Sequence, residues 1–211
     1  MPDAASPRAV YEHRLALRRD AFATADRRAR RLSHARLATF AAGLLVVGLS
    51  LGADRLDPRW IALPAIAFVA LVVLHDRVLR RRDEASRAVR YYEDGLARVD
   101  GAFAGRGPSG ERFRDPEHPY ADDLDVFGSG SLFDLLCRAR TAAGEALLAR
   151  WLLAPAPPDE VRERQAAVAE LRDALDLRES LSLVGDSVAP GLHAEALLHW
   201  GATAPPAPAA A

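Results

Sequence analysis

The chain lacks lysine and asparagine altogether, and it contains one cysteine and one methionine. A Walker A phosphate loop, a lysine Schiff base and a Ser-Lys dyad all depend on a lysine amine, so the chain can form none of them. The single Cys137 excludes an internal disulfide and a zinc site built from several cysteines. We therefore interpret Cys137 as a small buried apolar side chain in a reducing compartment.

The sequence also lacks segments with the two-residue alternation of a β-strand bounded by turn residues. Apolar residues recur instead at steps of three and four, which is the spacing of one helix face. From about Asp76 to Ala104, a single stripe contains Ala85, Ala88, Val89, Tyr92, Leu96, Val99 and Phe103. The sequence therefore predicts an all-α protein.

Two uncharged apolar runs occupy residues 37–53 and 60–74, with a polar connector at 54–59 between them. At about 1.5 Å per residue, each helical run would span roughly 22 to 26 Å, slightly less than the ~30 Å hydrocarbon core of a bilayer. A buried hairpin in a soluble domain is the alternative at this length. The flanks favour a membrane, because arginine is concentrated at both outer ends and balanced by aspartate in the connector. We predict a two-span transmembrane hairpin at 37–75, multi-pass in the inner (cytoplasmic) membrane, with both termini cytoplasmic.

Charge is distributed unevenly, although the formal net charge is only −1. Residues 1–36 contain nine arginines and four acidic residues, whereas residues 91–211 contain eleven arginines and twenty acidic residues. The basic excess lies next to the apolar runs, where arginine can meet anionic lipid headgroups. The acidic remainder argues against a large nucleic-acid surface. The partner that the charge pattern predicts is a membrane.

These patterns divide the chain into six predicted segments. They are an arginine-rich helical arm at 1–36, the transmembrane hairpin at 37–75, a stalk helix at 76–104, a loop at 105–130, a core helical domain at 131–200, and a Pro/Ala-rich tail at 201–211. The tail has the composition of a disordered segment. The two arms that flank the hairpin are expected to pair as an antiparallel stalk on the cytoplasmic side.

The loop contains one constellation of polar residues, formed by His118, Asp122, Asp123 and Asp125. A metal site or an acid/base cluster would need these carboxylates to converge away from water, and no further ligands follow at a recognisable spacing. We therefore expect no metal here. The preferred interpretation is a structured loop that holds three apolar residues against the next helix, namely Leu124, Val126 and Phe127.

A long helix is predicted to begin at Ser131 and continue to about Leu153, with Asp134 close to a capping-box arrangement. Prolines then end it, and Asp159 can cap the next helix. Inward-facing positions are predicted at Leu132, Leu135, Leu136, Ala139, Ala143, Leu147 and Trp151, and on the second helix at Val161, Val168, Leu171 and Leu175. Shorter helices are expected at about 177–183 and 193–200.

The stretch from Leu132 to Leu171 resembles the opening of the helical core, or lever, domain of the MutS family of DNA mismatch-repair ATPases. In that family, an Arg-Thr-x-x-Gly core and a trailing Trp-Leu precede a proline turn and an Arg-x-x-Ala-Val-x-Glu-Leu pattern. The matching residues are Arg140, Thr141, Gly144, Trp151, Leu152 and Pro155, then Arg164, Ala167, Val168, Glu170 and Leu171. The preceding segment HPYADDLDVFGSGSLF is similar to that of a MutS-related branch with an N-terminal membrane hairpin.

The motif residues are expected to have structural roles, and none is predicted to be catalytic, cofactor-binding or metal-binding. We expect Gly144 to permit close helix approach, Thr141 to bond to a carbonyl one turn earlier, and Arg140 to join a polar contact across the core. Trp151, Arg164 and Glu170 complete this set of family-motif positions.

The resemblance implies a partial MutS-like lever domain, with ATP and Mg²⁺ expected only for a C-terminal ATPase domain that is missing from this chain. It further implies a homodimer formed through that missing domain, and DNA binding by the full-length family, which the charge of residues 91–211 does not support. No cofactor is expected in this chain, and no enzymatic activity of the chain alone.

Two functional hypotheses follow. In the first, the chain is the membrane-anchoring and lever portion of a MutS-like ATPase. In the second, it is a stand-alone membrane-anchored helical adaptor or scaffold without ATPase activity. Non-specific DNA binding through the arginine-rich arms is a weaker third, and it would compete with lipid headgroups for the same arginines.

Overall fold

The computed structural model describes residues 6–52 and 57–188, which contain helices and no β-strand. The helices are α1 (Pro7–Val47), α2 (Ala62–Val99), α3 (Leu132–Leu136), α4 (Ala142–Leu153), α5 (Pro158–Arg172) and α6 (Leu175–Val188). A π-helical turn at Gly48–Gly52 and 3₁₀ turns at Pro58–Ile61 and Glu111–Phe113 complete the described elements. The predicted all-α class is confirmed. The helix expected at 193–200 and the tail at 201–211 lie outside the described residues.

The chain divides into two compact units, the first ending at Tyr92 and the second beginning at Glu93. In the first unit, α1 and α2 pair in antiparallel fashion, with residue numbers rising along one helix as they fall along the other. Three contacts define the pairing: Phe40 with Phe68 (ring centroids 6.1 Å apart), Asp26 with Arg82 (2.7 Å) and Tyr11 with Tyr92 (ring centroids 5.6 Å apart).

Helix α1 is one uninterrupted helix of 41 residues, without a break between the arginine-rich arm and the first apolar run. It begins where the Ser6 hydroxyl accepts a hydrogen bond from the Ala9 N–H (3.3 Å) and where Pro7 has no N–H that needs a partner. Helix α2 likewise continues for 38 residues through the second apolar run and beyond it. Each predicted span is therefore continuous with its arm.

Both of these helices are long and apolar enough to cross a membrane, as judged by length and composition. None of the residues in either apolar window is buried inside the protein. Leu37, Ile66 and Val69, for example, expose 67%, 68% and 62% of their surface. The core helix of a soluble domain usually buries such residues, and these two helices do not bury them within the described residues.

The second unit has a small apolar core built around three phenylalanines. Phe113, Phe127 and Phe133 pack with ring centroids 5.6 to 6.2 Å apart. The buried members of the core are Ala121, Val126, Phe127, Phe133, Cys137 and Ala149. The prediction that Val126 and Phe127 pack inward is confirmed, but Leu124 is 63% exposed and that part of the prediction is wrong. The backbone reverses at Asp125, which has a positive φ of 47°, directly after Leu124.

The helix predicted from Ser131 to Leu153 is split into α3 and α4. Helix α3 ends at Leu136, and Cys137 and Thr141 both have extended backbone conformations. The guanidinium of Arg98 donates hydrogen bonds to the carbonyls of Leu135 (3.0 Å) and Cys137 (3.4 Å). Because Arg98 satisfies carbonyls that a further helical turn would have used, the chain can leave the helix there.

The apolar faces predicted for this region are largely wrong. Leu132, Leu136, Leu147 and Trp151 are 37% to 47% exposed, whereas the neighbouring Phe133 and Ala149 are buried. On α5 no residue is buried, and Val161, Val168 and Leu171 all face outward. Leu175 is half-buried, and α6 extends beyond the predicted 177–183. The break at 137–141 changes which residues of α4 face the core, because it resets the helical register.

Candidate functional site

The six family-motif residues lie on a helical unit formed by α4, α5 and α6 and the junction that leads into it. At the junction, the Thr141 hydroxyl accepts a hydrogen bond from the Gly144 N–H (3.2 Å) and so caps the first turn of α4. This differs from the expected bond to a carbonyl one turn earlier, because Thr141 precedes the helix and has no turn before it. Its role is to satisfy an N–H group that the helix leaves without a partner.

Gly144 allows a close approach at the same junction. A Cβ atom at this position would lie 3.0 Å from the Ala139 Cβ and 3.2 Å from the Thr141 hydroxyl oxygen. The close contact is therefore between the first turn of α4 and its own incoming loop. It is not an approach of two helices, which is what the sequence suggested.

Arg140 connects the junction to α6. Its Nε lies 3.1 Å from an Asp186 carboxylate oxygen and 3.4 Å from the Ser182 hydroxyl. Gly185 makes room for this contact, because a Cβ there would lie 2.7 Å from the Arg140 Cβ. The Arg140 and Asp186 side chains are only 30% and 24% exposed, so solvent screens this pair less than a fully exposed one.

Trp151 connects α4 to α5. The Arg164 guanidinium carbon lies 4.0 Å from the centroid of the Trp151 ring, in a cation–π arrangement. The same guanidinium forms an ion pair with Glu160 one turn earlier on α5. Glu170, the sixth motif residue, lies exposed further along α5 and makes no ion pair or hydrogen bond within the described residues.

The C-terminal end of α4 is held by two side chains from the preceding loop. His118 Nε2 lies 2.9 Å from the Leu153 carbonyl oxygen, and the Tyr120 hydroxyl donates to the Leu152 carbonyl at 3.1 Å. The two rings pack edge to face, with centroids 4.4 Å apart. Both side chains satisfy carbonyls that the end of a helix leaves free. No local pattern in the sequence predicts this contact, since more than 30 residues separate the partners.

The polar constellation in this loop does not converge on one point. His118 is directed at the Leu153 carbonyl, and Asp122 pairs with Arg114 at 2.9 Å. Among the described residues, no group of three or more histidine, cysteine, aspartate or glutamate side chains is arranged to hold a metal ion. These residues stabilise the loop that positions α4.

Asp134 is fully buried and organises the start of α3. Its Oδ2 accepts hydrogen bonds from the backbone N–H groups of Gly105 (2.9 Å) and Gly130 (3.0 Å), while its own N–H donates to the Ser131 hydroxyl (3.2 Å). The Ser131 half of the predicted capping box is present. The carboxylate, however, connects two loops to the helix and does not reach back to Ser131.

Cys137 lies at the end of α3, and its burial raises the pKa of its thiol, which favours the protonated form.

Helix α4 is thus fastened at both ends and tied to both neighbouring helices. Thr141 holds its start, His118 and Tyr120 hold its end, and the contacts of Arg140 and Trp151 join it to α6 and α5. These contacts are the ones by which α4 and the junction before it are connected to α5 and α6.

Residues 119–188 match the family model described as MutS domain III. The matched range contains α3 to α6 and all six motif residues, which supports a relationship of this segment to the MutS family. Comparisons with curated proteins and with solved structures gave no match.

Proposed function

We propose that this chain anchors a MutS-like lever segment to a membrane. In this proposal the hairpin of α1 and α2 crosses the inner membrane, and both arms and the lever segment lie on the cytoplasmic side. The observation that carries the proposal is the combination, in one chain, of two unburied apolar helices with a segment that matches MutS domain III.

Membrane insertion is supported by the energetic cost of leaving these helices in water. Large apolar side chains are exposed along both, including Leu37, Leu45, Leu63, Ile66 and Val69. Removing one such side chain from water is worth about 1.5–3 kcal/mol. The arginines at both outer ends support the orientation with cytoplasmic termini.

The lever role is supported by the way α4 is held. Its capped ends and its contacts with α5 and α6 favour rigid-body movement, which is how packed helices transmit a change from one site to another. This chain has no lysine and therefore no Walker A motif. ATP and Mg²⁺ would instead be bound by the C-terminal ATPase domain that the family resemblance implies. The homodimer that the family implies would also depend on that ATPase domain, and DNA binding would depend on the full-length protein.

A stand-alone adaptor is the second candidate, and the exposed apolar side chains of α5 and α6 favour it. Val168 on α5 and Leu177, Leu181 and Val184 on α6 are each 50% to 63% exposed. An amphipathic partner helix could cover such a face. This function needs the same membrane anchor but no ATPase domain.

Topology can be tested with single cysteines in a Cys137→Ser background, because this substitution removes the one native thiol of the chain, which is buried. Asp20, Arg59 and Glu163 are exposed and suit the test as Asp20→Cys, Arg59→Cys and Glu163→Cys. In intact spheroplasts, a membrane-impermeant maleimide should label only the Arg59→Cys variant. Labelling of Glu163→Cys without labelling of Asp20→Cys, or release of the protein by alkaline carbonate, would overturn the proposal.

The two candidate functions differ in whether they require an ATPase domain in addition to this chain. A reading frame that follows Ala211 and encodes GxxxxGK[ST] supports the lever portion of an ATPase. The adaptor is supported if no such frame exists and a defined helical partner co-purifies with the chain but not with a Val168→Glu, Leu181→Glu variant. In either case, the purified chain alone should not hydrolyse ATP.

A further inference from the structure

A groove between α1 and α2 lies on the arm side of the apolar runs. Its volume is about 360 Å³. It is lined by Ala21, Thr24, Ala25 and Arg28 from α1 and by Val78, Arg81 and Ala85 from α2. The groove thus combines an apolar floor with two arginines, one contributed by each helix. The two guanidinium groups suit an anionic ligand, and the small side chains leave room beside them.

Arg28 and Arg81 make no ion pair or hydrogen bond within the described residues. Adjacent arginines do: Arg27 donates to the Thr24 hydroxyl at 3.0 Å, and Arg80 pairs with Asp76 at 3.0 Å. Asp26, the carboxylate that follows the groove residue Ala25, already binds both Arg30 and Arg82 at 2.7 Å. The groove arginines therefore have donors to offer an anion, and the neighbouring carboxylate is already engaged.

The position of the groove along the helices matches the headgroup layer. Arg81 is seven residues beyond Leu74 and Arg28 is nine residues before Leu37, or roughly 10 and 13 Å along the helix axes. Because the apolar runs are shorter than the ~30 Å hydrocarbon core, the flanks are drawn toward the bilayer. Long arginine side chains can then extend to the phosphates while their stems lie along apolar surface.

We propose that this groove binds the phosphate group of an anionic phospholipid. Planar guanidinium groups donate paired hydrogen bonds to phosphate oxygens, and Arg28 and Arg81 would approach one phosphate from two sides. Val78, which lies about one turn nearer the membrane than Arg81, would contact the glycerol and first methylenes, which a free phosphate ion lacks. Ala21, Ala25 and Ala85 lie beyond the two arginines and would leave room for the rest of the headgroup. A groove of this size accommodates one headgroup rather than a nucleic-acid duplex. The inference rests on the proposed membrane insertion.

The test uses the full chain in nanodiscs of phosphatidylcholine alone, or of phosphatidylcholine with a smaller amount of phosphatidylglycerol. After mild delipidation, mass spectrometry measures the phosphatidylglycerol retained per protein. An Arg28→Gln, Arg81→Gln variant should lose about 30-fold or more in retention, because it removes the charge-assisted hydrogen bonds that hold the phosphate. The matched control is Arg27→Gln, Arg80→Gln, which removes the same charge one residue away on the same helices and should change retention little.

Equal loss in the groove variant and the control would overturn the groove in favour of a diffuse basic surface. Unchanged retention in both variants would mean that these arginines do not bind the lipid, and it would overturn the inference as well. Displacement of the lipid by an equimolar DNA duplex, or by low concentrations of inorganic phosphate, would overturn the lipid assignment. Insertion into neutral nanodiscs is scored separately. A chain that inserts but shows no selectivity contradicts only this inference, whereas a chain that does not insert contradicts the proposed function.

Discussion

The two units of this protein expose apolar surface in different ways. In the hairpin, residues 37–45 of α1 and 63–74 of α2 include no charged residue, and most of their apolar side chains are exposed. In α5 and α6, charged and polar residues are interspersed among exposed apolar residues such as Val168 and Leu181. A surface that is apolar all round suits lipid, whereas an interrupted apolar stripe suits a protein partner.

The units also differ in how they are held together. Contacts between α1 and α2 join side chains to side chains, as in the Asp26–Arg82 ion pair. The second unit depends on side chains that bond to distant backbone groups, as Asp134 bonds to Gly105 and Tyr120 bonds to Leu152. Each of these contacts lies within one unit, so we expect damage to one unit to leave the other intact.

The largest effect is expected at Gly110, which has a φ of +69° beside the three phenylalanines. A Cβ there would lie 2.6 Å from a ring carbon of Phe133 and 2.8 Å from one of Phe127. Backbone strain and overpacking together should make Gly110→Ala cost about 4 kcal/mol of unfolding free energy in the second unit. Hydrogen exchange at the Phe133 and Leu135 amides measures it.

The control for this change is Gly101→Ala. Gly101 has a similar φ of +72°, but a Cβ at this position would have no neighbouring atom within 4 Å, so only the backbone strain of about 1 kcal/mol applies. Membrane insertion should be unaffected by either change. If Gly110→Ala also abolished insertion, the two units would not be independent in the way proposed.

A smaller loss is expected from Asp134→Ala. The change leaves the Gly105 and Gly130 N–H groups without their acceptor in a partly buried position, which should cost about 2 kcal/mol. Asp159→Ala is the comparison, because Asp159 pairs with Arg162 in an exposed position and its loss should cost less than about 1 kcal/mol. Equal losses from the two variants, measured by thermal unfolding of the second unit, would contradict this assignment.

Local and distant contacts differ in how far the sequence predicts them. The apolar runs and the capping by Ser131 depend on residues close together in the chain, and local patterns are enough to predict them. The break between α3 and α4 depends on Arg98, which lies 37 residues before the carbonyl of Leu135 that it binds. Without that break, the predicted helical register assigns the inward face of α4 to the wrong residues. The roles of His118 and Tyr120 at the end of α4 escape prediction for the same reason.

An effect of about 1 kcal/mol is expected from Thr141→Ala, which removes the acceptor for the Gly144 N–H at the start of α4. Thr141→Ser retains the hydroxyl and should preserve stability. Hydrogen exchange at the Gly144 and Glu145 amides reports this first turn directly. If the serine variant were as unstable as the alanine variant, the methyl group rather than the cap would be responsible.

The smallest effect is expected in the hairpin, at Asp26. The hydrogen bond from Arg82, together with the charges of Arg30 and Arg82, lowers the pKa of this carboxyl group below its ordinary value of 3.8. Since the folded-state pKa is the lower one, the ion pair contributes its full stabilisation above that ordinary value and loses it as the pH falls through the folded-state pKa. Spin labels on the two arms of the inserted protein should therefore show a small, reversible transition to a broader distance distribution at acid pH, since the Tyr11–Tyr92 contact remains. Asp26→Asn should remove that transition while the apolar spans stay inserted, because in the proposed topology lipid rather than the ion pair holds them. A transition that persists in Asp26→Asn would place the acid-sensitive contact elsewhere, and loss of insertion would mean that the arms are needed to hold the spans in the bilayer.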